Sequence, residues 1–413
     1  MAPESHQFAT TALTDHAFNA DGSQVAICPN SNIVEVHTKT GTTWSQAHTL
    51  NEHDKLVTSI DWAPKTNRIV TCSQDRNAYV WNLSPEGVWK PTLVLLNINR
   101  SATCVRWSPN EQKFAVASGA RAVAICSYGD ESDWWISKQL KKPLRSTVLS
   151  LDWHPNSVLL ATGSADAKAR VFSAYLRETD EKPAPSVWGT KLPFNTLCGE
   201  FSSPAGGWVH GVAFSPSGDA LAFASHDSTI TIVYPAGEGL PPTAKFTVRV
   251  PSLPYLTLTF LDESRIAAAG HDCEPVLFES DQHSGWHFSR TIDDPSARSS
   301  GLSASTGAPR TGGVGRLKGN EAFSRFSAAD SRGVSVVYPN ADSPPATPAS
   351  GMSRTATGST ERTTVHQNTI TSLRPYLKQE GHDVTRVSTT GVDGRLVIWN
   401  TPSLSSGLSK MTI

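Results

Sequence analysis

The chain lacks any run of about eighteen apolar residues, so no membrane-crossing helix and no membrane insertion is expected. It also lacks an excess of charge. Its 36 Lys and Arg against 37 Asp and Glu leave a net charge of -1, which excludes nucleic-acid binding through a global positive field. Its six cysteines, at 28, 72, 104, 126, 198 and 273, form no CxxC pair and no Cys/His spacing suited to a metal. Several sit in apolar runs such as Ile69-Val70-Thr71-Cys72, the setting of buried, reduced thiols. The opening residues, Met1-Ala2-Pro3-Glu4-Ser5-His6-Gln7, lack the basic-then-apolar pattern of a secretory leader, so a cytoplasmic protein is expected. Catalytic signatures are missing as well. Gly307 and Gly312 have phosphate-loop spacing, but Gly313 stands where a Lys is required, and neither HExxH nor GxSxG occurs. No cofactor is expected.

What the chain does have is a rhythm. An aromatic residue closes an alternating apolar run, often before x-Pro, at Trp62-Ala63-Pro64, Trp107-Ser108-Pro109, Trp153-His154-Pro155 and Phe214-Ser215-Pro216, with Phe18 and Phe260 in similar runs. From 18 through 62, 107, 153, 214 and 260 the steps are 44, 45, 46, 61 and 46 residues. A second mark follows the first. Asp75, Asp166 and Asp227 come 13 residues after their anchors and Asp272 comes after 12; six residues further lie Trp81, Phe172, Val233 and Phe278. The same step leads from Asp393 to Trp399.

Between the marks apolar and polar residues alternate, as in Asn77-Ala78-Tyr79-Val80-Trp81, which is the period of strands. Breaks such as Asn19-Ala20-Asp21-Gly22 and Asp393-Gly394 carry the turn chemistry that reverses antiparallel neighbours. Three or four short strands repeated about every 45 residues make the blade of a WD-repeat β-propeller. The expected fold is therefore all-β: a seven-bladed WD40 propeller over residues 1–400, with a C-terminal tail at 401–413. Residues 6–13 are expected to supply the outer strand of the last blade and so hide two sheet edges.

Two blades carry a full polar set. His53, Thr71, Asp75 and Trp81 form one, and His366, Thr389, Asp393 and Trp399 the other. A buried Asp in a tight turn needs donors around it, so these are read as structural tetrads. Blade three has Ser118-Gly119-Ala120 where the Asp is due, and blade one has Asn30-Ser31-Asn32. The pairs His226-Asp227 and His271-Asp272 fall on the blade's structural Asp, which argues against catalytic use.

Over 293–365 the rhythm stops. This stretch is rich in Ser, Thr, Gly, Ala and Pro and reads as a long flexible insert before the last blade. Inside it, 321–332 reads as a short helix: Asn320 caps it, Glu321 and Arg325 are polar, Phe323 and Phe326 share one face, and Gly333 stops it. Two phenylalanines on a tethered helix suit a partner's groove, although packing on its own propeller or service as a spacer stays open. The densest positive run is Lys138-Gln139-Leu140-Lys141-Lys142-Pro143-Leu144-Arg145, either a solvated edge or a site for an acidic segment. In Trp134-Trp135 just before it, at most one ring is expected inside the blade.

Several longer runs go beyond the generic repeat, among them Asp75-Arg76-Asn77-Ala78-Tyr79-Val80-Trp81, Trp89-Lys90-Pro91-Thr92-Leu93-Val94, Arg145-Ser146-Thr147-Val148-Leu149-Ser150-Leu151-Asp152-Trp153-His154-Pro155, Gly207-Trp208-Val209-His210-Gly211 and Ala269-Gly270-His271-Asp272-Cys273. In these the chain closely resembles the WD-repeat subunit family of the actin-related protein 2/3 complex, which nucleates branched actin filaments. The resemblance implies a non-enzymatic scaffold of the actin cytoskeleton, found in cortical patches. Its partners would be the other subunits, the actin filament and the acidic tail of WASP-type nucleation-promoting factors. It further implies that the insert helix, here Glu321, Phe323, Arg325 and Phe326, reaches toward actin or an actin-related subunit, and that the propeller helps bind the acidic tail, for which Lys138, Lys141, Lys142 and Arg145 are the candidate patch. The rival reading is a generic WD40 adaptor for a ubiquitin ligase or a chromatin complex. A propeller enzyme would need converging acidic or His residues at strand starts, where mainly apolar residues are expected.

Overall fold

The computed structural model describes residues 3–129, 131–237, 240–281, 285–293, 364–376 and 383–401. Among the described residues every regular element is a strand, and 28 strands form seven four-stranded antiparallel sheets, the blades. The inner strands of blades one to seven are His16–Phe18, Val57–Ala63, Ala102–Trp107, Val148–Trp153, Val209–Phe214, Tyr255–Asp262 and Ile370–Pro375. Successive inner strands pack side by side, which arranges the blades in order around an axis.

Apolar side chains occupy both faces of each blade, so the core lies between blades. Val70, Val80 and Val94 of blade two pack with Val105, Phe114 and Val116 of blade three in one cluster. The second strands take the deepest positions: Lys113–Ser118, Leu159–Ser164, Leu221–Ser225 and Arg265–Gly270 are buried at every residue. Each fully buried Val, Leu, Ile or Phe contributes about 1.5–3 kcal/mol, which gives every blade reason to hold both neighbours. All six cysteines are buried and none is in a disulfide.

The ring closes through its N-terminal strand. Glu4–Gln7 pairs antiparallel with Arg395–Asn400, from Glu4 opposite Ile398 to Gln7 opposite Arg395. This is earlier than the expected 6–13. The N–H groups of Phe8 and Ala9 both donate to the Gly394 carbonyl, at 3.1 and 3.2 Å, which turns the chain inward and leaves Leu13 in the core beside Val25 and Ile398.

The long step of 61 residues has a local cause. After Lys168–Ser173 the chain makes an excursion before Leu197–Ser202, and two buried side chains hold it down. Trp188 donates from Nε1 to the Gly218 carbonyl at 2.7 Å, and Lys113, fully buried, pairs with Asp180 and donates to the Ala174 carbonyl. At the other interruption, the Val365 N–H donates to Asp293 Oδ2 at 2.8 Å, so the two ends of the 293–365 stretch meet. The expected helix at 321–332 and the residues beyond 401 lie outside the described residues.

Candidate interaction surfaces

The two polar tetrads come together as hydrogen-bonded chains. In blade two, Trp81 Nε1 donates to Thr71 Oγ1 at 3.0 Å, Thr71 Oγ1 lies 2.8 Å from His53 Nε2, and His53 Nδ1 lies 2.7 Å from Asp75 Oδ2. With the proton on Nδ1, every donor in the chain meets an acceptor. The carboxylate also accepts the N–H groups of Asp54 at 3.2 Å and Asn77 at 2.9 Å. Burial works to raise the pKa of Asp75, but the His53 bond and these N–H groups outweigh it and leave it lowered. Blade seven repeats the arrangement: Trp399 to Thr389 at 2.7 Å, Thr389 to His366 at 2.8 Å, His366 to Asp393 at 3.1 Å. Asp393 likewise accepts from the Gln367 N–H at 2.9 Å.

Other blades vary this clasp. In blade four Asp166 meets Arg170 Nη1 at 2.9 Å and the Arg145 N–H at 3.1 Å, and Arg170, 1% exposed, also reaches Glu200 at 2.7 Å. Asp227 accepts the Ala205 N–H at 3.0 Å and Asp272 the Leu253 N–H at 2.7 Å. Blade three has no acid at the position of this turn Asp, where Ala120 stands. Counting from strand starts, Ile98, Val116, Ala120 and Cys126 stand where blade two has His53, Thr71, Asp75 and Trp81, and Val116, Cys126 and Ile98 join the apolar cluster between the blades.

At the inner strands the expectation of mainly apolar residues is corrected. Asp15 is 4% exposed and accepts from Arg374 Nη2 at 2.9 Å, from Ser59 Oγ at 2.7 Å and from Ser372 Oγ at 2.9 Å. Arg374 also donates from Nη1 to Asp61 at 2.7 Å, and Arg106 from Nη1 to Asp15 at 3.4 Å. Burial would raise the pKa of Asp15, yet the two guanidiniums hold it well below the usual carboxylate range. The neighbouring His16 is pushed down to about 3 by burial and by Arg374, and it bonds Ser388 and Thr390 at 2.8 and 3.1 Å. These charges neutralise one another and tie blades one, two, three and seven together. Period-two reading missed them because Asp61 and Arg106 each directly precede an aromatic anchor and Asp15 lies just before its inner strand.

The basic run is divided by the fold. Lys138 pairs with Glu178 at 3.2 Å across to the excursion of blade four. Lys141, Lys142 and Arg145 are exposed on the loop into blade four and make no side-chain ion pair among the described residues. Trp135 is buried and Trp134 is 52% exposed, as strand alternation requires. A further cluster joins loop and turn of blade five: exposed Trp208 stands beside His210 and His226, whose Nε2 and Nδ1 lie 2.9 Å apart. Burial, with His226 and His271 nearby, pushes His210 down to about 4. No group of three His, Cys, Asp or Glu suited to a metal occurs among the described residues.

The WD domain, G-beta repeat family matches residues 44–82, 137–173 and 195–233. Each match starts at the outer strand of one blade and ends within the next, so the repeat in sequence is staggered against the blade in space. Relatives extend much further. Actin-related protein 2/3 complex subunit 1 of Schizosaccharomyces pombe is 48% identical over 93% of this chain and 96% of its own length. The chain belongs to this subunit 1 family. Subunit 1A-A of Xenopus laevis is 43% identical over 99% of both chains, and subunit 1B of Arabidopsis thaliana is 39% identical over 98% of this chain and 97% of its own.

Proposed function

We propose that this chain is a non-enzymatic scaffold and regulatory subunit of the actin-related protein 2/3 complex in the cytoplasmic actin cytoskeleton. The observation that carries the reading is the near end-to-end match to subunit 1 relatives. A ring whose blades are locked by buried hydrogen bonds suits a part that holds others in fixed geometry. Lys141, Lys142 and Arg145, unpaired and exposed, are the side chains that receive the acidic tail of a WASP-type activator; Lys138, already paired, contributes less. The 321–332 segment, with Phe323 and Phe326, engages actin; it is tethered where Asp293 meets Val365, and such tethering raises its effective concentration at a nearby partner.

Affinity purification of the tagged chain is expected to bring down actin-related subunits; a ubiquitin ligase or histones instead would favour the adaptor reading. In the reconstituted complex, Phe323→Ala with Phe326→Ala should lower branching while the propeller stays folded. Reversing Lys141, Lys142 and Arg145 to Glu should weaken an acidic activator peptide at least about tenfold at low salt, and less at high salt. Equal affinity at low salt would remove the patch from the reading.

A further inference from the structure

We infer that the turn of blade three is a binding slot for a phosphate monoester carried on a peptide, a site independent of the lysine patch above. The inference starts from a missing carboxylate. In blades two, four and seven the Asp of the turn accepts a backbone N–H from the loop entering the blade: Asp54, Arg145 and Gln367 respectively. Each of these donors lies three residues before its inner strand, and the same position in blade three is Asn99. Opposite it stands Ala120.

The turn itself is unchanged. The Ala120 N–H donates to Ser118 Oγ at 3.3 Å as the Asp75 N–H does to Ser73 Oγ at 3.2 Å. The Gly119 N–H meets the Ser101 carbonyl as the Gln74 N–H meets that of Leu56. Arg121 and Arg76, the residues that follow, have φ of 57° and 76°. Only the acid has gone.

A cavity of about 610 Å³ opens there, bordered by Asn99, Arg100, Ser101, Gly119, Arg121 and Thr147 among others, and its lining contains no acidic residue. A Cβ on Gly119 would lie 3.4 Å from the Arg100 Cβ and 3.8 Å from Thr147 Oγ1, so these groups share one wall. Arg100 and Arg121 are both exposed and neither guanidinium has an ion-pair partner among the described residues. Blade two places Lys55 and Arg76 at the same two positions, but around Asp75. Two free guanidiniums, hydroxyls and a backbone N–H offer more donors and more positive charge than one carboxylate satisfies. A dianionic phosphate with three acceptor oxygens matches them.

The test is calorimetric titration of the full chain with a short phosphoserine peptide, its unphosphorylated form, its Glu-substituted form and inorganic phosphate. The phosphopeptide is expected to bind, at least about tenfold tighter than the Glu form or inorganic phosphate, and the unphosphorylated peptide is not. Arg100→Ala with Arg121→Ala should weaken it at least about tenfold. Ala120→Asp restores the chain's own carboxylate, so it should abolish binding while the melting temperature holds or rises. Lys141→Ala with Lys142→Ala should leave the affinity within about twofold, which separates this site from the patch. No binding, equal binding of the Glu peptide or of inorganic phosphate, or binding that survives Ala120→Asp would each overturn the inference.

Discussion

Blades two and three sit side by side, share one apolar cluster, and solve the same problem in opposite ways. Blade two buries His53, Thr71, Asp75 and Trp81 as a complete hydrogen-bonded chain; blade three places Ile98, Val116, Ala120 and Cys126 at those positions. A fully satisfied polar network and an apolar set of similar placement are close in stability, whereas a half-satisfied network is worse than either. The two blades therefore differ less in strength than in what they leave at the surface: blade two ends in a closed turn, blade three in an open one with two free arginines.

The most damaging way to break this comparison is Asp75→Ala, which leaves His53 without its acceptor and should cost about 3 kcal/mol in urea unfolding. Next is Val116→Thr in blade three, which buries a hydroxyl without its Trp and His partners and should cost about 1–3 kcal/mol; a neutral effect would mean the site is not dry. The third is pH. The folded pKa values of Asp75 and Asp393 are lowered, so their contribution is full above the ordinary carboxylate value of 3.8 and fades as pH falls through the lowered folded values. Asp75→Asn should flatten stability against pH below about 4, while Val116→Ala should shift the curve without changing its slope. The smallest effect belongs to Lys141→Glu with Lys142→Glu, which should move stability by less than about 0.5 kcal/mol, since both side chains are exposed and unpaired.

Much of the ring was legible beforehand, and the reason is locality. The aromatic anchors, the turn Asp of the blades that carry one and the six-residue step beyond it are all set within one blade, so period-two patterning and turn chemistry reveal them. Both tetrads were visible because their members recur at the same offsets. The inner charges were not, because Asp15 and Arg374 meet across 359 residues and no local pattern marks a partner that distant. The same holds for Lys138, whose pairing with Glu178 depends on where the excursion of blade four is pinned by Lys113 and Trp188.

From the sequence alone came the architecture: the number of blades, the strands that build them, the interruption at 293–365 and the family. Tertiary structure alone decided which residues closed the ring, which buried charges cancelled, and which basic side chains stayed free. Spacing along a chain specifies what a residue can do within its own sheet, but pairing between sheets depends on register and burial, which exist only once the blades have packed.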